Sequence, residues 1–328
     1  MRFFIFLGII CLLIACKQEQ YRHVEGKIYG TYYRIIYESK EDFSESLKTE
    51  MEKVNTSLSM FNPQSVVAKW NRGESKEVDS LFIRMYRTAE KINRETNGAF
   101  DITVAPLANA WGFGYKQNRF PNPEEIDSLL QYIGMDKLKV EEGYLLKEKA
   151  GMEIDASSIA KGLGVDLVAE FLDACEVRNY MVDIGGEIRV RGESDKKRPW
   201  RIGIDKPIDD IAIQGRELQM VIRFTKGAVA TSGNYRNYYI HEGRKYAHTI
   251  NPRTGYPVQR DILSSSVYAP TCMEADAYAT AFMVLGLEES KKIVENNTEI
   301  EVCFVYEQNG ENRVWMTEKF KDLIMKEE

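Results

Sequence analysis

A chain of 328 residues, 44% hydrophobic and 29% charged, carries enough apolar material for one large or two modest cores. Its net charge of −6 excludes the basic surface that a phosphate backbone demands, so no nucleic-acid partner is expected. A small anionic ligand held by local dipoles or by a metal is compatible with that balance.

Met1-Arg2 precede an apolar run from Phe3 to Ala15, and Cys16 opens the polar stretch Lys17-Gln18-Glu19-Gln20. The run is short for a membrane span and suits the core of a signal peptide. Leu13-Ile14-Ala15-Cys16 resembles a bacterial lipobox, whose cysteine becomes the lipidated first residue of the mature protein. The expectation is a signal peptide over 1–15, a tether over 16–23 from lipidated Cys16, and one domain over 24–328, anchored outside the cytoplasm in a bacterial envelope. An ordinary secretory signal is the alternative. Cys175, Cys272 and Cys303 form no CxxC pattern and read as small buried hydrophobes, with one disulfide left open. Histidine occurs only at His23, His241 and His248, too sparse for an imidazole zinc site.

Val24 to Tyr37 alternates and predicts a strand pair or one strand broken at Gly30-Thr31. Helical periods follow over Phe43 to Leu58, from Ser65 to Trp70, and over Val78 to Thr96 with Asp79 as cap and Asn97-Gly98 as stop. Gly98 to Gly114 is apolar on all sides yet interrupted by Asp101, Pro106 and Asn109, which predicts a buried segment whose few polar atoms have partners. Next come a surface helix over Pro123 to Ile133, a hairpin around Glu142-Gly143, a strand over Met152 to Asp155 and a serine-capped helix over Ser157 to Cys175. Arg178 to Val190 reads as one strand containing Gly185-Gly186, followed by strands over Trp200 to Ile204 and Leu218 to Phe224. Beyond Val258 the pattern gives a strand over Ser264 to Ala269, a helix over Met273 to Leu285, a helix from Glu288, a strand over Glu301 to Tyr306, and a strand or helix to the end. Strands and helices mix without a βαβ rhythm, so the class is α+β.

The stretch from Ala228 to Val258 concentrates the chemistry. It opens with Thr231-Ser232-Gly233-Asn234 and closes with His248-Thr249-Ile250-Asn251-Pro252-Arg253-Thr254-Gly255. Hydroxyls beside glycines aim amides and side-chain oxygens at one point, as phosphate recognition requires, although two ordinary hairpin turns would read the same way. Asp276 and Thr280 lie four apart on a predicted helix and offer hard oxygens suited to magnesium. Asp155, the serines after it and Gly162 suggest an anion-friendly helix start. Asp101 and Asp183 are acids among apolar neighbours, each satisfied either by backbone amides or by ring N–H groups of a flat ligand. No Walker A, dinucleotide fingerprint or GxSxG elbow is present.

Taken in order, Leu58 to Ser65, Gly98 to Gly114, Asp155 to Asp166, Val182 to Gly186, Ala228 to Asn234, His248 to Gly255 with Pro257-Val258, and Ala269 to Gly286 resemble the ApbE family of flavin transferases. Asn251 stands where the family has an acid, and Tyr29 where it has a methionine. The resemblance implies largely antiparallel sheets with packed helices and a ligand cleft between two subdomains. It implies Mg²⁺ held by the Ala160 carbonyl, Asp276 and Thr280. It also implies an FAD site lined by Asp101, Lys161, Leu163, Thr231, Ser232, His248, Thr249 and Ile250, with Tyr29, Met60, Phe61 and Asn62 at its edges. The implied reaction moves FMN from FAD onto a Ser or Thr of an acceptor, an extracytoplasmic subunit of Nqr- or Rnf-type redox complexes, and releases AMP. Asp276 and His248 would carry catalysis, with Asp155 and Asp183 as other candidate bases. The alternatives are hydrolysis of FAD to FMN and AMP, or a flavin-binding lipoprotein without turnover.

Overall fold

The computed structural model describes residues 20–114, 120–207, 217–234, 238–241 and 244–325. The segment 1–15, expected to be a signal peptide, and Cys16 lie outside the described residues. Strand β1 (Tyr21–Ile28) turns into β2 (Thr31–Glu38) through Tyr29 and Gly30, at φ 50° and 74°. Of the two readings of this stretch the hairpin is the one observed, because paired positive φ matches the twist of the flanking strands. β1 takes in Tyr21, Arg22 and His23, ahead of the residue 24 at which the folded domain was expected to begin.

Helix α1 (Ser44–Leu58) buries Leu47, Met51, Val54 and Leu58. Ser65 caps α2 (Val66–Asn71), and Asp79 caps α3 (Ser80–Glu95) by accepting from the Phe82 N–H at 2.8 Å. Asn97 and Gly98 end the helix with positive φ, as the sequence predicted. Every residue of the short α4 (Ala105–Ala110) is buried. After α5 (Pro123–Leu130), β3 (Leu138–Glu141) and β4 (Tyr144–Lys147) form the expected hairpin.

Two expectations about the next stretch are corrected. Met152 to Asp155 forms no strand; only Glu153 bridges, to Val104, because no neighbouring strand is available for a ladder. The following helix, α6 (Ala160–Ala174), starts three residues later than predicted and has no side-chain cap, since the serine-rich segment closes turns of its own. A third correction concerns Arg178 to Val190, which splits into β5 (Tyr180–Ile184) and β6 (Glu187–Arg191) at Gly185 and Gly186, φ 71° and 102°. Two consecutive glycines make the reversal possible inside an otherwise continuous apolar alternation.

The remaining elements are β7 (Trp200–Asp205), β8 (Leu218–Phe224), β9 (Lys226–Gly233), β10 (Tyr238–His241), β11 (Arg244–Ala247), β12 (Ile262–Ala269), α7 (Cys272–Leu285), α8 (Leu287–Glu295), β13 (Glu301–Gln308), β14 (Glu311–Met316) and α9 (Glu318–Leu323). The main sheet runs β1-β2-β5-β6-β9-β12-β13-β14, antiparallel at every pairing. The antiparallel α+β class is therefore as expected. One face carries α6 and α7, and the other packs against the β7–β8 ribbon through Trp200, Ile202, Ile222 and Phe224.

Helix α7 is buried along its length except at Glu274 and Thr280. Such a helix gains little from amphipathicity and is held by close packing on both sides. Its contact with α6 is tightest at Gly162, where a Cβ would fall 2.4 Å from the Cys272 carbonyl oxygen and 2.8 Å from the Met273 Cα. Both obstacles are backbone, so neither can swing aside. Gly162→Ala is expected to cost about 1–3 kcal/mol through forced separation of the helices, measurable by urea unfolding; unchanged stability would show that the contact has slack.

Candidate active site

The entry to α6, the end of β9, the start of α4 and the mid-length of α7 surround one cavity of about 440 Å³. Lys161, Thr231, Ser232, Asp276 and Thr280 line it from the sheet and helix side. Asp101, Asp155, His248, Thr249 and Ile250 complete the wall. A smaller apolar recess of about 140 Å³ shares Ser157 and Lys161 with it and is lined by Tyr29, Met60, Phe61 and Ala160. Phe61 stands 75% exposed at its rim. Ser157 and Lys161 therefore border both spaces.

The structure does not bring every expected residue to these walls. Leu163 is fully buried in the core because its side chain points to the packed face of α6. Asn62 spends its side chain on the Asn55 carbonyl and the Gln64 N–H, closing the turn after α1. Asp183 accepts from the Gly186 N–H and holds the β5–β6 turn, and it is absent from both cavities. The Asn251 to Gly255 turn likewise consumes its polar groups internally. Asn251 Oδ1 accepts from the Arg253 N–H at 2.9 Å, so the amide serves where the family has an acid. The Arg253 guanidinium binds the Thr96 and Asn97 carbonyls, and the Trp111 indole N–H binds the Gly255 carbonyl at 2.7 Å. The turn thus positions His248, Thr249 and Ile250 instead of facing a ligand itself.

Asp276 is buried, with Oδ2 accepting from the Gly162 N–H at 3.0 Å. One turn further along α7, the Thr280 hydroxyl lies 3.2 Å from the Ser232 hydroxyl of β9. Alternation along β9 turns the Thr231 hydroxyl away from Ser232 and Thr280 to pair with Ser266 at 2.8 Å, so Thr231 borders the cavity with its hydroxyl already engaged. Asp101 accepts from the Thr103 N–H at 2.8 Å; burial raises its pKa, and the bonds from Thr103 oppose that rise. His248 meets Phe113 edge to face with ring centroids 6.5 Å apart.

The sequence reading missed Glu187. It is 4% exposed, lines the cavity, and binds the Lys161 ammonium through Oε1, while Oε2 has no hydrogen-bond partner among the described residues. Burial pushes its pKa up to about 7 against the pull of Lys161. The available signal is the alternation of Glu187, Arg189 and Arg191 on a strand whose charged side faces α6, where they pair with Lys161, Asp166 and Asp173.

Asp276 responds to the same surroundings: burial raises its pKa, with Lys161 and the Gly162 N–H opposing. For Lys161, burial disfavours the charge, but Asp276 and Glu187 outweigh it and raise the pKa. Two buried carboxylates therefore face one ammonium, a deficit of positive charge that a cation relieves. Among the described residues no three or more His, Cys, Asp or Glu side chains gather as a metal site. The donors present are a carboxylate, a hydroxyl and the carbonyls at the start of α6, hard oxygens that fit Mg²⁺ completed by water and phosphate oxygens.

With this geometry in view, a sequence profile described as the ApbE family matches residues 29–304. An FAD:protein FMN transferase of Vibrio cholerae is 35% identical, over 98% of each chain. The solved flavin transferase ApbE from Vibrio cholerae superposes with a TM-score of 0.83 at 34% identity, covering 93% of this chain and 99% of that one. The ApbE protein from Thermotoga maritima gives 0.82 at 30% identity, covering 94% and 100%.

Replacing Lys161 by Met removes the ammonium that, among the described residues, faces both carboxylates. A carboxylate whose folded pKa lies above its unfolded value lowers stability as pH rises through that interval, which for Glu187 spans 4.5 to about 7. Without Lys161 the interval extends upward. Lys161→Met should lose about 3 kcal/mol at pH 8 and distinctly less at pH 5 in urea unfolding; an equal loss at both would contradict the charge account.

Proposed function

Because this chain belongs to the ApbE family and transfers FMN from FAD to an acceptor protein, we propose that the transfer is Mg²⁺-dependent, with the Ala160 carbonyl, Asp276 and Thr280 holding the cation. The observation that carries the proposal is the convergence of Asp276, Thr280, Ser232 and Lys161 on one wall of a single cavity with His248 on another. Mg²⁺ supplies charge neutralisation at the pyrophosphate when bound. Lys161 adds a fixed positive charge at the junction of the two cavities, and the Ser232 hydroxyl holds Thr280 in place. FAD lies with its pyrophosphate across this wall, one head in the large cavity and the other toward Tyr29, Met60 and Phe61. His248 accepts the proton of the acceptor hydroxyl as its oxygen bonds to the FMN-side phosphorus. The bond from that phosphorus to the bridging oxygen breaks, and AMP leaves with the oxygen. The residues act by positioning and charge, since the phosphoryl centre requires little covalent chemistry from the protein.

The proposal extends to the setting. The lipobox-like Leu13-Ile14-Ala15-Cys16 supports lipidation at Cys16 and an extracytoplasmic location on an envelope membrane. Acceptors there would be Ser- or Thr-bearing subunits of Nqr- or Rnf-type complexes.

Incubation with FAD and Mg²⁺, with and without a threonine-bearing acceptor, tests the reaction. The expected result is AMP in equal amount to covalently bound flavin, and only with acceptor; AMP without acceptor would mean hydrolysis, and none at all a binding protein. Asp276→Ala should abolish turnover with the fold retained, and Thr280→Val should weaken it; full activity of Asp276→Ala at limiting Mg²⁺ removes Asp276 from the site. His248→Asn should lower the rate at saturation about 100-fold with FAD affinity little changed, whereas weakened FAD binding at an intact rate makes His248 a ligand contact only.

A further inference from the structure

We propose that Asp166, held by Arg189, is the positioning residue that sets the spacing of α6 and α7 on which the divalent-cation site depends; the inference rests on the metal assignment made above. Asp166 is fully buried. Its Oδ1 accepts from the Cys272 N–H at 2.9 Å and from the Arg189 guanidinium at 2.6 Å, and its Oδ2 accepts from the Met273 N–H at 2.9 Å. The first N–H groups of a helix have no acceptor within it and must find one elsewhere. In α7 the Thr271 hydroxyl takes the Glu274 N–H, but the two before it are taken by a carboxylate from another helix. α7 is therefore capped by α6.

The rungs between the helices follow one pattern. Gly162 and Asp166 are four apart on α6, as Cys272 and Asp276 are on α7, so each pair lies on one face of its helix. Asp166 binds the N–H groups of Cys272 and Met273, and the Gly162 N–H binds Asp276. The proposed cation donors lie on both helices: the Ala160 carbonyl opens α6, and Asp276 and Thr280 are carried by α7. Their separation is set by these rungs and by the bare contact at Gly162. Arg189 secures the arrangement from the sheet, and Glu187, two residues earlier on β6, holds Lys161 in the same way.

A role in positioning differs measurably from a role in stability. Mg²⁺ demands near-ideal octahedral geometry at short distances, whereas Ca²⁺ accepts longer and more varied ones. Loss of the cap that sets the helix spacing should weaken Mg²⁺ far more than Ca²⁺. A merely structural residue would lower the unfolding temperature and leave the ratio of the two affinities unchanged.

The test is the near-isosteric Asp166→Asn in the intact protein, with FAD present and acceptor absent. Dissociation constants for Mg²⁺ and Ca²⁺ are read by displacement of Mn²⁺ followed by electron paramagnetic resonance. The Mg²⁺ constant is expected to rise about 10-fold or more, the scale of changes behind a metal's direct ligands, with the Ca²⁺ constant within about 3-fold. Arg189→Lys should shift the ratio in the same direction by less, and it decides the matter if Asp166→Asn does not fold. An unchanged ratio in the folded variant overturns the proposal. Asp276→Ala serves as the reference: if it also retains Mg²⁺ and Mn²⁺ binding, the metal assignment itself fails, whereas loss there with an unchanged ratio at Asp166 refutes the positioning role alone.

Discussion

The crossing of α6 and α7 is the constraint on which this site depends. At Gly162 the two backbones approach so closely that no side chain fits between them, and the glycine N–H reaches the buried Asp276 carboxylate. A buried carboxylate is costly unless it has hydrogen bonds or a charge beside it, and Asp276 has one amide and the nearby Lys161. The arrangement leaves Asp276 short of positive charge and fixed in position, which suits a residue whose partner arrives with the substrate.

Charge is distributed along the site by one strand. β6 presents Glu187, Arg189 and Arg191 to α6, and the polarity of the pairs reverses at the cavity end, where the helix supplies the cation Lys161. A shift of β6 by two residues would set Arg189 against Lys161, so the reversal opposes register slippage of the sheet against the helix. The same reversal brings an ammonium to the point where the two cavities join. The buried end of this ladder contributes through specificity of position; the Arg191–Asp173 pair at its far end is solvent-exposed and adds little to stability.

Elements with local punctuation were legible in the sequence. Asp79 with Asn97-Gly98 bounded α3, and Glu142-Gly143 marked a hairpin, since caps and positive-φ turns depend on few residues. The β5–β6 hairpin was not legible, because Gly185-Gly186 sits within a run whose apolar alternation continues on both sides. Met152 to Asp155 has a strand's composition, but no ladder partner lies beside it. The site divides similarly. Asp276 and Thr280 were legible as a pair one helical turn apart, and Lys161 and His248 through the contiguous motifs that carry the family resemblance; the structure brings all four to one cavity. Glu187 and Asp166 act across elements, and their partners, Lys161 and the α7 N-terminus, are brought to them only by the tertiary fold.

The proposed site holds a divalent cation between α6 and α7, in contact with the pyrophosphate of FAD. A crystal structure of the protein with FAD and Mn²⁺, recorded for anomalous scattering from manganese, tests it most directly. One strong anomalous peak is expected within coordination distance of the Ala160 carbonyl, an Asp276 oxygen, the Thr280 hydroxyl and a phosphate oxygen. A peak elsewhere, or FAD bound in the cavity with none, would contradict it.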